Sequence, residues 1–203
     1  YPGDVDGIVS NGGGIFMNPW GRSTQYPQTI VADNLTEKER NASPALTKKL
    51  PLESMTSYQS KLLPKALKDR RNFTAPSVTA ASRTVRVKNP LSNGVCTDQT
   101  VVDDYVADPL NNKDFTVGMV EQMSVAQVYN AVNAPDFTTP TLIMHGQSDG
   151  IAPPYLDINW LNAIGSNDKT GYEWSGLMHE IFNEPVKDQP INKVVDWINN
   201  HNK

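Results

Sequence analysis

The stretch Thr139–Pro154, TPTLIMHGQSDGIAPP, decides how this chain folds. A proline precedes the apolar run Thr141 to Met144, which reads as a buried strand of a parallel sheet. The run ends on His145 and Gly146, and turn and ionisable residues follow at once. Gly146-Gln147-Ser148-Asp149-Gly150 also matches G-x-S-x-G, the pattern of a nucleophilic serine on a sharp strand-to-helix elbow. An elbow needs a helix directly behind its serine. Here Ile151-Ala152-Pro153-Pro154 follows, and tandem prolines force an extended approach that delays any helix. Ser148 is also adjacent to Asp149, so the two cannot face one another across a histidine. An acid between Ser148 and His179 would have to be Asp157 or Asp168, neither placed at a strand end. The match is therefore read as accidental.

Working outward, TVGMVEQMSVAQVYNAV (116–132) spaces Val117, Val120, Val125, Val128 and Val132 as a helix packed on a core. After the strand, PYLDINWLNAIG reads as a helix stopped by Gly165, TGYEWSG as a strand, and NKVVDWINNH as an amphipathic last helix. Upstream, Val5 to Ser10 is a short strand closed by Asn11-Gly12-Gly13-Gly14. From Phe16 to about Asn89 the texture is polar and broken by prolines, with Thr36 to Asn41 and Tyr58 to Asp69 as helix candidates. TDQTVVDDYVADPL (97–110) offers Thr97 or Asp98 as an N-cap and stops at Asp108-Pro109. Strands alternating with helices predict an α/β fold, a parallel sheet with helices on its faces, interrupted by a long insertion.

Composition narrows the function classes. A chain of 203 residues fits one domain, or a domain with a large insertion, and buries roughly 70% of its unfolded surface without staples. A single cysteine, Cys96, rules out an internal disulfide framework and leans towards a reducing, cytoplasmic setting. The sequons at Asn34, Asn41 and Asn72 are what a chain rich in Asn, Ser and Thr contains by chance. A net charge of −4 with interspersed signs offers no basic stripe for nucleic acid. No apolar run approaches the ~20 residues that span a bilayer, and no signal peptide is visible.

In open α/β sheets, chemistry collects at the carboxyl ends of strands. The loop after TLIM holds His145, Ser148 and Asp149, and the loop after GYEW places His179 in SGLMHE. Asp149 precedes His179 by 30 residues, one strand-helix-strand unit, so the two strand ends should be neighbours. A carboxylate beside an imidazole fixes its tautomer and stabilises its charged form, which suits general base and then general acid work. Each residue also has a plainer reading. Asp149 would serve as a cap of the following helix, and His179 as a hydrogen-bonded structural histidine. His145 reads as structural, too near Asp149 in sequence to be its base. His201 falls in a polar, solvated tail. Glu180 and Glu184 start the final turn-helix region, and Cys96 is a small, partly buried side chain. The apolar residues of GGGIFMNPW read as packing at a strand-to-cap junction, with lipid contact as the alternative.

The motifs together resemble the monoacylglycerol lipase and lysophospholipase branch of the α/β-hydrolases. PTLIMHGQSDGIAPP resembles the acid loop, GLMHEIFNEP the histidine loop, VVDDYVADPL the segment that closes the cap, and YPGDVDGIVSNGGGI the stretch after the elbow helix. The region from about 20 to 95 matches only loosely. The resemblance implies the C-terminal part of such a fold: residues 1–16 as the end of helix C and strand 6, 17–115 as a mainly helical cap, and 116–203 as the core carrying strands 7 and 8. It assigns Asp149 as the acid and His179 as the base of a triad. In the family order Ser…Asp…His the nucleophile lies upstream of Tyr1, so the chain is expected to be a fragment or processed piece, inactive and poorly soluble alone. The implied substrate is a small lipid ester, a monoacylglycerol or lysophospholipid, with room for peripheral contact with a membrane or lipid droplet. No cofactor and no metal are implied. The alternatives are an esterase or peptidase of the same fold, and a non-catalytic hydrolase-derived binding protein.

Overall fold

The computed structural model describes residues 5–13, 30–31, 65–66, 68, 83–88, 94–152 and 154–201. In chain order the main elements are β1 (Ile8–Asn11), β2 (Ile30–Val31), β3 (Arg86–Lys88), α1 (Gln99–Ala107), β4 (Asp114–Thr116), α2 (Val117–Asn133), β5 (Thr141–Gly146), α3 (Tyr155–Ala163), β6 (Lys169–Trp174) and α4 (Asp188–His201). The helix candidate Thr36 to Asn41 and the GGGIFMNPW residues from Gly14 onward lie outside the described residues. Tyr58 to Asp69 is described only at 65, 66 and 68, all helical.

All six residues of β5 are buried, because β1 and β6 flank it and helices cover it. The sheet runs β1-β5-β6-β2 with every pair parallel. Alternate side chains of β5 feed two cores, as the period of two requires. Ile143 packs with Ala131 of α2 and Ala134 just after it, and with Trp160 and Leu161 of α3. Leu142 and Met144 point to the other face, against Trp174, Leu177 and Ile181, with Val194 and Trp197 of α4 closing over them. A sheet with helices on both faces is the α/β arrangement the alternation predicts.

Several local expectations shift by a few residues for identifiable reasons. β1 starts at Ile8 rather than Val5 and runs on to Asn11, because Asn11 still pairs with Met144 of β5. Gly7 lies so close to Trp197 that a Cβ there would sit 2.6 Å from the indole. Asp98 caps α1, its side chain accepting from the Thr100 amide, and α1 ends at Asp108. In α2, Val125, Val128 and Val132 are buried as the spacing predicts, whereas Val120 is 45% exposed. Gly165 ends α3 for a different reason than a helix stop. Among the described glycines only Gly12 and Gly176 have positive φ. At Gly165 a Cβ would lie 2.1 Å from the Pro135 carbonyl, so close approach of two backbones requires glycine.

Two pairings arise from the stretch read as cap and were not expected. Ile30 and Val31 join the main sheet beside β6, at Gly171 and Tyr172. Arg86–Lys88 pairs antiparallel with Asp114–Thr116, reinforced by the Arg86–Asp114 ion pair at 3.2 Å. That pair is exposed, so it adds little stability.

Candidate active site

β5 and β6 run parallel with His145 opposite Glu173 and Gly146 opposite Trp174, so the loops that follow them leave the same edge of the sheet side by side. The two loops are stitched together by backbone. Gln147 N–H donates to the Trp174 carbonyl and Ser148 N–H to the Leu177 carbonyl, each at 2.9 Å. Within that frame His179 Nδ1 lies 2.8 Å from Asp149 Oδ2. The carboxylate is completely buried, while the imidazole is 30% exposed, with its Nε2 edge free of any partner among the described residues. Asp149 does not cap α3. Its Oδ1 instead accepts from the Ile151 and Ala152 amides at 2.8 and 3.0 Å, folding the loop into a tight turn.

Ser148 is placed where no elbow exists. It is exposed, no described non-glycine residue has positive φ, and α3 begins only at Tyr155. Asp149 is the side chain bonded to the His179 ring, through Nδ1. Asp168 is likewise remote from the pair, bonded to His201 Nε2 at 2.9 Å. His201 is therefore not a solvated tail residue: it also reaches the Trp197 carbonyl and stacks on that indole at 4.0 Å.

Three features of the site escaped the sequence reading. First, β1 ends against the histidine. Gly12, at φ +59°, has its Cα so near His179 that a Cβ would lie 3.1 Å from ring atoms Cε1 and Nδ1. Secondly, His145 is buried between two carboxylates, with Nε2 2.9 Å from Asp149 and Nδ1 3.0 Å from Asp157. Thirdly, Glu184 does not simply open the last helix. Its fully buried carboxylate accepts from the Met178 amide at 2.8 Å, the Thr97 amide at 3.1 Å and the Thr97 hydroxyl. Beside it Glu180 N–H donates to the Val95 carbonyl at 2.7 Å, and buried Cys96 bonds the Asn183 carbonyl through its thiol. Residues 95–97 thus clamp the histidine loop from outside. Truncating Glu184 to Ala leaves two partly buried amides and a hydroxyl without their acceptor. It is expected to cost about 2 kcal/mol of unfolding free energy in denaturant titration, with Glu184→Gln costing less than half as much.

The electrostatics follow from burial and these bonds. Burial alone would raise the Asp149 carboxyl, but hydrogen bonds from His145, His179 and the Ala152 and Ile151 amides hold it well below the usual carboxylate range. Burial alone would lower His145, yet Asp149 and Asp157 raise it to about 9. Burial pushes Glu173 up to about 7, moderated by the His145 charge. For Glu173 the folded state binds more protons than the unfolded state between pH 4.5 and about 7, so stability falls as pH rises across that window. His145 extends the fall: its stabilisation is complete below 6.5 and is lost as pH rises through about 9. Asp149 acts oppositely, its contribution being lost as pH drops below 3.8. The thermal midpoint is therefore expected to decline from pH 5 to 9. Glu173→Gln is expected to flatten the part between pH 5 and 7, which unfolding scans at unit pH steps would read.

Among the described residues no group of three or more His, Cys, Asp or Glu side chains is arranged to hold a metal ion, and no helix is long and apolar enough to cross a membrane.

Comparison with known proteins gives concordant matches. The family model for serine aminopeptidase, S33, matches residues 41–186. A monoacylglycerol lipase of Mycolicibacterium smegmatis is 28% identical over 118 residues, which is 58% of this chain and 42% of that protein. Phospholipase YtpA of Bacillus subtilis is 41% identical over 49 residues, 24% of this chain and 19% of its own length. A crystal structure of a soluble variant of monoglyceride lipase from Saccharomyces cerevisiae, in complex with a substrate analog, matches with a TM-score of 0.59 at 17% identity. That match covers 97% of this chain and 54% of the yeast chain. The chain spans about half, or less, of the length of these relatives. At such low identity the structural likeness shows the fold.

Proposed function

The chain belongs to the serine aminopeptidase S33 family of α/β-hydrolases, and from that premise we propose that the intact protein hydrolyses carboxylic esters of lipids, a monoacylglycerol or a lysophospholipid. The observation that carries the reading is the 2.8 Å contact between Asp149 and His179 at adjacent carboxyl ends of a parallel sheet. The names of the bacterial and yeast relatives favour a lipid ester as substrate. In this mechanism His179 Nε2 takes the proton of a serine as its Oγ attacks the ester carbonyl, then gives that proton to the leaving alcohol. Asp149 keeps the Nδ1–H in place and stabilises the imidazolium formed on the way. The acylated serine precedes Tyr1 in this proposal, following the order Ser…Asp…His, and water releases the fatty acid in a second, equivalent transfer. A cap drawn from residues 17–115, apart from the Ile30–Val31 strand of the main sheet, would hold the acyl chain, since long chains are retained mainly by apolar area. Peripheral contact with the lipid surface goes with this reading.

A second reading, a peptidase of the same fold, is favoured by the family description itself. The two separate cleanly in one assay. The intact protein is incubated with monoacylglycerols, lysophosphatidylcholine and a panel of aminoacyl amides, and a fluorophosphonate probe maps the labelled residue. Release of fatty acid with one labelled serine upstream of Tyr1 is the expected result. Cleavage of amides alone would transfer the assignment to a peptidase, and neither turnover nor labelling would leave a binding protein.

A further inference from the structure

We propose that His145 is a positioning residue: a buried imidazolium that holds Asp149 in place and sets the charge felt by His179, in the chain Asp157···His145···Asp149···His179. The inference rests on the hydrolase reading above for its kinetic arm but not for its spectroscopic one.

The argument starts from donors and acceptors. His145 is 1% exposed, so its polar atoms depend on protein partners. Nε2 faces Asp149 Oδ2 at 2.9 Å and also the Ala152 carbonyl at 2.5 Å. A carbonyl and an ionised carboxylate only accept, so Nε2 must carry a hydrogen. Nδ1 faces Asp157 Oδ2 at 3.0 Å, and with Asp157 ionised that nitrogen must carry a hydrogen too. Two carboxylates on opposite edges of one buried ring therefore make it a cation, in accord with the upward shift of its pKa. A neutral ring would require a proton on Asp157 instead.

The surroundings leave few other charges to weigh. α3 contributes Asp157, the acid loop contributes Asp149, and β6 brings Glu173 opposite His145 in register. β1, on the other flank, reaches β5 only as far as Asn11 at Met144 and supplies no ionisable group there. Of these ionisable groups, Asp149 is the one bonded to His179.

The consequence for chemistry lies in Asp149 Oδ2, which accepts from both imidazoles at 2.9 and 2.8 Å. The bond from His145 fixes the carboxylate rotamer, so Oδ2 stays aimed at His179. The cation also offsets part of the Asp149 charge. Without it the full Asp149 charge would face the site of proton transfer, which moves the acid limb of the reaction to higher pH.

The test uses the intact protein with a monoacylglycerol substrate and two variants, His145→Gln and Asp157→Asn. For His145→Gln the expectation is a fall in kcat of about tenfold or more, KM within about twofold, and the acid limb of kcat/KM moved up by about one pH unit. Asp157→Asn should move the limb in the same direction by less. A mere packing role would lower stability without moving the limb, so an unmoved limb in a folded His145→Gln protein overturns the proposal. Should His145→Gln not fold, Asp157→Asn and the wild-type spectrum decide. In ¹⁵N-histidine-labelled wild type at pH 7.5, His145 is expected to show protons on both ring nitrogens. One bare nitrogen would mean a neutral ring and would overturn the proposal. Absence of ester turnover by the wild type would sink the hydrolase reading, and the spectrum would still judge the imidazolium.

Discussion

Replacing Asp149 by Asn in the intact protein is expected to lower kcat by about 10,000-fold with little change in KM. The loss follows from the bonds on that side chain. Oδ2 accepts two N–H groups, from His145 and His179, and Oδ1 accepts two backbone amides. An amide has one accepting atom, so one pair of donors must face an –NH₂ group. If the oxygen stays with the backbone, the –NH₂ meets Nδ1 of His179 and forces the tautomer whose Nε2 carries the proton. That tautomer cannot take a proton from serine. If the oxygen turns to the histidines, two buried amides lose their acceptor and the turn from Gly150 to Ala152 loosens. The first outcome removes the base with the fold intact; the second keeps the tautomer but loosens the turn that carries residue 149. His179→Ala is expected to match or exceed the loss, and the double variant to add nothing, because the pair acts as a unit. Steady-state kinetics on a monoacylglycerol would read all three. A double variant far slower than either single one would show that the two residues act separately.

The parts of the site legible in sequence are those written in local runs. β5 announces itself as an apolar stretch behind a proline, and Asp149 and His179 each sit a few residues past a strand. Their spacing of one strand-helix-strand unit then predicts that the two meet, as they do. The partners that hold them leave no such trace. Glu184 bonds Thr97 across 87 residues, and the Asn11 amide approaches the His179 carbonyl across 168. No periodicity links such positions. His145 and Asp157 are only 12 apart, but one ends a strand and the other lies in a helix delayed by two prolines, so the loop geometry decides whether they meet. β2 was hidden for another reason. Two residues in a polar, proline-broken stretch carry no alternation, and only the edge of β6 selects them. Gly165 shows the converse, a residue placed correctly for a mistaken reason: closeness to Pro135, not backbone freedom, requires it.

The same closeness makes Gly146→Val the most damaging single change expected away from the ionisable groups. A Cβ on residue 146 would lie 2.0 Å from the Met178 carbonyl oxygen and 2.4 Å from that of Leu177, both backbone atoms of the histidine loop. Something must move by about 1 Å to restore ordinary contact. β5 is the worse candidate, because hydrogen bonds to β1 and β6 hold it on both sides and all its residues are buried. The loop is held more loosely, by Ser148 N–H on the Leu177 carbonyl and by Glu184 on the Met178 amide. It would yield, carrying His179 away from Asp149. The overpacking is expected to cost about 3 kcal/mol in denaturant unfolding. A displacement of about 1 Å at the reacting group is expected to cost about 100-fold in kcat, measured well below the unfolding midpoint. Gly150 supplies the control in the same loop. A Cβ there meets nothing within 4 Å and its φ is not positive, so Gly150→Val should leave both quantities nearly unchanged. Equal effects at the two glycines would mean that the loop tolerates no side chain anywhere. A large effect at Gly146 alone would locate the constraint in the contact between the acid strand and the histidine loop.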